Sequence, residues 1–213
     1  MGITRYNGYH RKKRNSNSRN RKSVILISAE GNNKTETNYF RFWRNKGYII
    51  EFVSDNHTDP VKMLIALQKE FNRKELSIEY GDMAFCLIDH DCSKEKDAAI
   101  LKADSLAEKM GFNILISNPC FEIWFLCHYT FSTKQFSSSK DVIKDLVGYF
   151  PKYDKASKDV ACHLSSLTTE GIKNAKKLDE FCADLGKKKH HYDYQPSTEV
   201  YKLVELLLGK TKE

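Results

Sequence analysis

The chain has 213 residues, of which 40% are hydrophobic and 30% charged, and its formal net charge is +7. That apolar content excludes wholesale disorder, and no apolar run approaches the roughly 18 residues needed to cross a bilayer. With a basic N-terminus that no apolar stretch follows, neither an anchor nor a secretory signal is expected, and the expected compartment is the cytoplasm.

The length suits one substantial domain, or one α/β domain with a helical appendage. Six cysteines, Cys86, Cys92, Cys120, Cys127, Cys162 and Cys182, form no Cys-x-x-Cys pair and have no regular His partner, so reduced thiols are expected rather than a zinc site or a disulfide framework. Residues 1–22 hold eight Lys/Arg and no acid, so with a chain total of +7 the remainder carries −1. This segment reads as a basic flexible tail. It could grip a phosphate backbone or an acidic partner, or could simply be solvated.

Beyond the tail, Ser23 to Ala29 is a β-branched run that predicts a buried strand ending at Glu30-Gly31. A helix is expected from Thr35, with Tyr39, Phe40, Phe42 and Trp43 on one face and Gly47 as its stop. Tyr48 to Val53 predicts the second strand. Asp59 caps a helix that starts at Pro60 and runs to about Arg73, with Met63, Leu64, Leu67 and Phe71 helically spaced. Residues 83–88 predict the third strand, followed by the acidic triplet Asp89-His90-Asp91. A polar helix from about Lys94 to Met110 ends at Gly111. Phe112 to Ile116 predicts a fourth strand, and Asn118-Pro119 turns into the apolar segment Cys120 to Tyr129.

Alternating strands and helices imply a parallel, layered sheet of about four strands with helices on both faces. After about residue 131 only helices are expected: Asp141 to Tyr149, Thr169 to Leu185, and Pro196 to Leu208 with Ser197 or Thr198 as its cap. The stretch Gly186 to Gln195 is expected to be exposed. The resulting division is 1–22 tail, 23–131 α/β domain and 132–213 helical extension packed on the sheet.

Glu30 and the pair Asp89 and Asp91 follow apolar strands, and the carboxyl ends of such strands are where open α/β sheets bind ligands. If the strands are neighbours the three carboxylates converge, and they repel one another unless a cation such as Mg²⁺ or Mn²⁺ sits among them. Asp-x-Asp on an extended segment sends both side chains to the same side. Taken singly, each acid is better read as a helix cap, and it is the paired placement at two strand ends that favours a site. Glu122 lies within Phe121 to Phe125, where a lone carboxylate is costly unless paired or metal-bound. His128 could share its face or be a satisfied core histidine, and Asn118 could be turn chemistry. Lys34 and Glu36 flank Thr35 at a helix start, where free N–H groups attract phosphate. Lys155 and the run Lys187 to His191 could extend a phosphate track or be solvated surface. The loop Gly31 to Lys34 is not a Gly-x-x-x-x-Gly-Lys loop, so no nucleotide hydrolysis by the chain alone is expected.

At Glu30-Gly31-Asn32-Asn33-Lys34-Thr35-Glu36, Asp89-His90-Asp91, Asn118-Pro119-Cys120-Phe121-Glu122-Ile123-Trp124 and Gln195-Pro196-Ser197-Thr198-Glu199, the chain resembles the RloB family, which includes AbiLii abortive-infection proteins. His90 stands where that pattern usually has Arg, and the loop after Glu30 is one residue longer than the shortest family form.

The resemblance implies a toprim-like or Rossmann-like fold in which Glu30 is an acid/base group or metal ligand and Asp89 and Asp91 are metal ligands. It also implies a role in anti-phage defence, with a partner ATPase encoded nearby. The function expected on these grounds is a metal-dependent nuclease that uses Glu30, Asp89, Asp91 and Glu122. Lys34, Glu36, Asn118, His128 and Lys155 would bind substrate, and RNA is favoured over DNA. Two alternatives stay open: a non-catalytic nucleic-acid-binding or adaptor protein, and a nucleotidyl-transfer enzyme. Oligomerisation is also left open.

Overall fold

A computed structural model describes residues 21–31, 34–44, 47–54 and 56–209. The basic arm therefore lies outside the described residues, apart from Arg21 and Lys22. Among the described residues no helix is long and apolar enough to cross a membrane.

The centre is a five-stranded sheet. β1 (Val24–Ala29) pairs in parallel with β2 (Ile49–Phe52) on one side and with β3 (Met83–Asp89) on the other, and β3 pairs in parallel with β4 (Asn113–Asn118). A short β5 (Ser197–Thr198) runs antiparallel along the end of β4, giving the order β2-β1-β3-β4-β5. The mainly parallel α/β architecture agrees with the sequence reading. The fifth strand does not, because Ser197 and Thr198 were expected to cap a helix.

Two residues are too few to show a period of two, and what recruits them is non-local. The Ser117 and Thr198 hydroxyls hydrogen-bond at 2.8 Å, while Glu199 N donates to Ile116 O (3.0 Å) and Ile116 N donates to Glu199 Oε2 (3.1 Å). The last helix, α8 (Val200–Gly209), starts only after this pairing.

The strands alternate between two apolar layers, as a sheet buried on both faces requires. Ile25, Ile27, Phe85, Leu87 and Leu115 point to one layer, and Leu26, Ala84, Cys86, Ile88 and Ile116 to the other. The second layer is covered by α2 (Pro60–Arg73) and α3 (Lys94–Met110). Asp59 caps α2, its side chain accepting from Lys62 N with Pro60 in the first turn. Gly111 closes α3 at φ 68°, a left-handed conformation that suits glycine, with Ile78 packed so close that a β-carbon would lie 2.7 Å from its Cδ1.

The first layer holds α1 (Lys34–Arg41), α4 (Glu122–Cys127), α5 (Ser139–Tyr149), α6 (Val160–Leu164), α7 (Thr168–Asp184) and α8. Val142, Leu146, Leu164, Leu178, Leu203 and Leu207 share one core with Ile25 and Trp124. At its heart Tyr39 packs its ring 5.1 Å from Phe40 and 5.5 Å from Phe125, and Phe121 lies 5.3 Å from Phe125. Helix α1 stops at Arg41 rather than at Gly47, and the turns that follow still deliver Trp43 to this core, where it is 2% exposed.

Candidate functional site

β1 and β3 are neighbours, β2 lies outside β1, and β4 lies outside β3. Connections leave this central pair in opposite directions, which opens a crevice at the carboxyl ends of the two strands. Glu30 follows β1 and Asp89 ends β3, and Asp89 N donates to Glu30 Oε2 at 3.3 Å. The chain then turns sharply. His90 N donates to Ser117 O (2.9 Å), Asp91 N donates to Pro119 O (2.8 Å), and Asp91 and Cys92 take φ values of 57° and 54°. This corrects the expectation of an extended Asp-x-Asp. Asp91 sits in a left-handed turn held by β4, and that turn sets the direction of its carboxylate.

Lys96, in the first turn of α3, returns to this point. Its Nζ donates to Asp91 Oδ2 (2.6 Å), Asp89 O (2.8 Å) and Glu30 Oε1 (3.0 Å), with Glu30 Oε2 at 3.2 Å. Burial opposes a charge on Lys96, but the Asp91 hydrogen bond and the Glu30 carboxylate outweigh it, and its pKa stands above that of an ordinary lysine. Burial pushes Glu30 up, while Lys96 pulls in the opposite direction.

Two further carboxylates act on Asp89. Glu36, in the first turn of α1, is 8% exposed, and Glu122, which opens α4, is 1% exposed. Burial, and then the charges of Glu36, Glu122, Glu30 and Asp91, hold the Asp89 carboxyl well above the usual range. Burial with the charge of Glu122 raises Glu36 to about 7, although its own backbone amide favours the ionised form.

Glu122 Oε1 accepts from Tyr153 Oη at 2.9 Å and lies 3.1 Å from Lys155 Nζ. The same turn is tied to α1, since Thr35 Oγ1 donates to Lys155 O (3.4 Å) and Asn38 Nδ2 donates to Ala156 O (3.0 Å). Glu30, Glu36, Asp89, Asp91, Glu122 and Lys155, all anticipated at the site, thus lie around one crevice, and Lys96 is the member that was not anticipated.

The remaining candidates are placed differently. Lys34 is exposed at the start of α1. Asn118 is 1% exposed, and its amide donates to Tyr192 O (3.0 Å) and His191 O (3.4 Å), so it fastens the segment before β5. His128 is corrected from substrate ligand to core residue. It is 1% exposed, its Nδ1 donates to Trp124 O at 2.8 Å, and burial lowers its pKa to about 4, so a neutral ring inside the core has no route to a ligand.

His90, which stands where the family pattern has Arg, is also enclosed, with Nε2 3.0 Å from Asp97 Oδ1. The basic run 187–191 does not form an open phosphate track. Lys189 lies 3.1 Å from Glu199 Oε1 and 3.2 Å from Asp179 Oδ2, and His190 bridges Asp104 (2.7 Å) and Glu199 (2.8 Å).

Sequence reasoning missed Lys96, Tyr153 and the His190–Glu199 pair. For Lys96 a signal existed: a cation in the first helical turn works against the helix dipole, so its position has to be held by something else.

The donor chemistry fits a hard divalent cation. The oxygens are all carboxylate or carbonyl, their charges oppose one another, and the Lys96 ammonium already sits where Glu30, Asp91 and the Asp89 carbonyl converge. As the side chains stand, no three acidic, histidine or cysteine groups among the described residues are spaced to hold one ion. Glu30, Asp89 and Asp91 are the residues that would hold it.

Comparison with known proteins gives a family match: the family described as RloB-like protein covers residues 25–207. Neither the curated proteins nor the solved structures give a match.

Proposed function

This chain belongs to the RloB-like protein family, and on that footing we propose that it is a metal-dependent phosphodiesterase that cuts nucleic acid, RNA ahead of DNA, as an effector of anti-phage defence. The observation that carries this reading is the meeting of the Glu30 and Asp91 carboxylates and the Asp89 backbone carbonyl around the Lys96 ammonium at the switch point of the sheet. Mg²⁺ or Mn²⁺ held there would polarise the scissile phosphate and lower the pKa of water.

The chain's own residues supply the rest. Glu30, raised in pKa by burial, would either hold the ion or take a proton from water. Glu122 and Glu36 oppose an uncompensated negative charge on Asp89, so a cation bound beside it would be favoured. Lys155, 54% exposed at its side chain, offers an ammonium to a phosphate oxygen, and Lys34 offers another at the start of α1. The tail adds eight cations for backbone contacts.

Labelled RNA and DNA incubated with the full chain and Mn²⁺ test the reading directly. Cleavage is expected from the wild type and none from an Asp89→Ala, Asp91→Ala double variant, and cleavage that persists in the double variant rejects the mechanism.

The cationic tail favours one other reading, a non-catalytic protein that holds nucleic acid or a partner ATPase. That reading predicts binding without cleavage, insensitive to Glu30→Ala and lost on deletion of residues 1–22.

A further inference from the structure

We infer that Lys96 is the resident cation of the acidic site: its ammonium occupies the ion position when no metal is loaded and is displaced from Glu30 and Asp91 as a divalent ion enters. The inference rests on the metal reading above and goes beyond it, because it makes metal loading an exchange of cations within the chain.

The geometry is that of a coordinated ion rather than of a surface ion pair. Lys96 Nζ has Asp91 Oδ2 at 2.6 Å, Asp89 O at 2.8 Å, and the two Glu30 oxygens at 3.0 and 3.2 Å, so its three N–H groups face oxygens from both strand ends. Its side chain is 20% exposed, against 54% for Lys155, which meets a single carboxylate. Lys96 lies in the first turn of α3, where the positive end of the helix dipole disfavours a cation.

A divalent ion bound by Glu30 and Asp91 would need the same oxygens. Two cations sharing them would stand within a few ångströms of each other and repel strongly in a half-buried setting. The flexible lysine stem lets the ammonium swing outward, where it becomes available to the phosphate whose charge the ion has drawn in. The segment 90–92, pinned by Ser117 O and Pro119 O, keeps Asp91 in place while this happens.

The full chain, stripped of metal, is titrated with MnCl₂ by calorimetry as wild type, Lys96→Met and Lys94→Met. Lys94 is an exposed neighbour on the same helix with its ammonium 4.4 Å above the Tyr192 ring, so its replacement removes an equal charge outside the site. If Lys96 competes with the ion, Lys96→Met binds Mn²⁺ about tenfold tighter or more, while Lys94→Met changes affinity by less than about threefold.

Thermal melting gives a second readout. Metal-free Lys96→Met is expected to melt below wild type and to gain more from Mn²⁺ than wild type does. Should the methionine variant not fold, Lys96→Gln, which keeps a neutral donor beside Glu30, is titrated in its place. Equal or weaker Mn²⁺ binding without the lysine charge overturns the exchange while leaving the metal site standing. Absence of Mn²⁺ binding in both wild type and variant overturns the metal reading and the exchange together.

Discussion

The imidazole of His128 lies against the bare α-carbon of Gly171, so close that a β-carbon at residue 171 would stand 3.0 Å from Cε1 and Nδ1 and 3.1 Å from Cδ2. The ring cannot retreat, because Nδ1 is bonded to Trp124 O and the Trp124 ring is 4.5 Å away on centroids. Overpacking of this kind costs about 1–3 kcal/mol. Gly171→Ala is therefore expected to lower the urea midpoint by a corresponding amount, and an unchanged midpoint would show that α4 and α7 can part at no cost.

Glu122 is buried with two partners on one oxygen, the Tyr153 hydroxyl and the Lys155 ammonium. Tyr153→Phe removes one donor and leaves the charge compensated, so about 0.5–1.5 kcal/mol of stability is expected to go. Lys155→Met removes the only ion-pair partner the described residues give Glu122, next to Glu36 and Asp89, and is expected to cost more than Tyr153→Phe. Chemical denaturation of the two variants side by side gives the order, and a reversed order contradicts the assignment of Lys155 as the main counter-charge.

His190 fixes a pH dependence. Burial works against its charge, but the hydrogen bonds its ring donates to Asp104 and Glu199 prevail and raise its pKa to about 9. The folded value lies above the unfolded value of about 6.5, so the stabilisation is fully present below about pH 6.5 and is lost as pH rises through about 9. The expected loss is on the order of 1–3 kcal/mol. Other groups contribute to any pH dependence of the whole protein, so the measurement is the difference between wild type and His190→Asn, a residue that also accepts the left-handed φ of 61°. A pH-independent difference from pH 6 to 10 would remove His190 as the source.

Asp82, fully buried just ahead of β3, accepts from Val24 N and Ser77 N, each at 2.9 Å, and pairs with Arg21. Asp82→Ala strands two backbone donors and a guanidinium, and a loss of about 2–4 kcal/mol is expected from thermal or urea denaturation. If the variant melts with wild type, water has replaced the carboxylate without cost.

Much of the fold was legible because its signals are local. Asp59-Pro60 marked the start of α2, Gly111 the end of α3, and the apolar runs at 24–29 and 83–88 marked buried strands. β5 was not legible: its two residues are drawn to β4 by the Ser117–Thr198 and Ile116–Glu199 bonds, which no window of sequence contains.

The candidate site divides in the same way. Glu30, Asp89 and Asp91 could be named from strand ends, and Glu122 from its apolar company. Lys96 gave only the weak sign of a misplaced charge, and Tyr153 none, because it reaches Glu122 across 31 positions of chain. His128 looked like a ligand because helical spacing set it near Glu122, whereas the packing of α4 turns it into the core.

The anchoring of the acids and that of the lysine above them differ in kind. Glu30 and Asp89 are rooted in β1 and β3, each flanked by strands on both sides and sealed between two apolar layers, while Lys152, Asp154, Lys155 and Ala156 are exposed in a short turn. Amide hydrogens of Ile25–Ile27 and Ala84–Ile88 should therefore exchange with deuterium only through global opening, and those of 152–156 through local fraying. Opening of 152–156 would thus strip Glu122 of its Tyr153 and Lys155 partners while leaving Glu30 and Asp89 in register on the sheet.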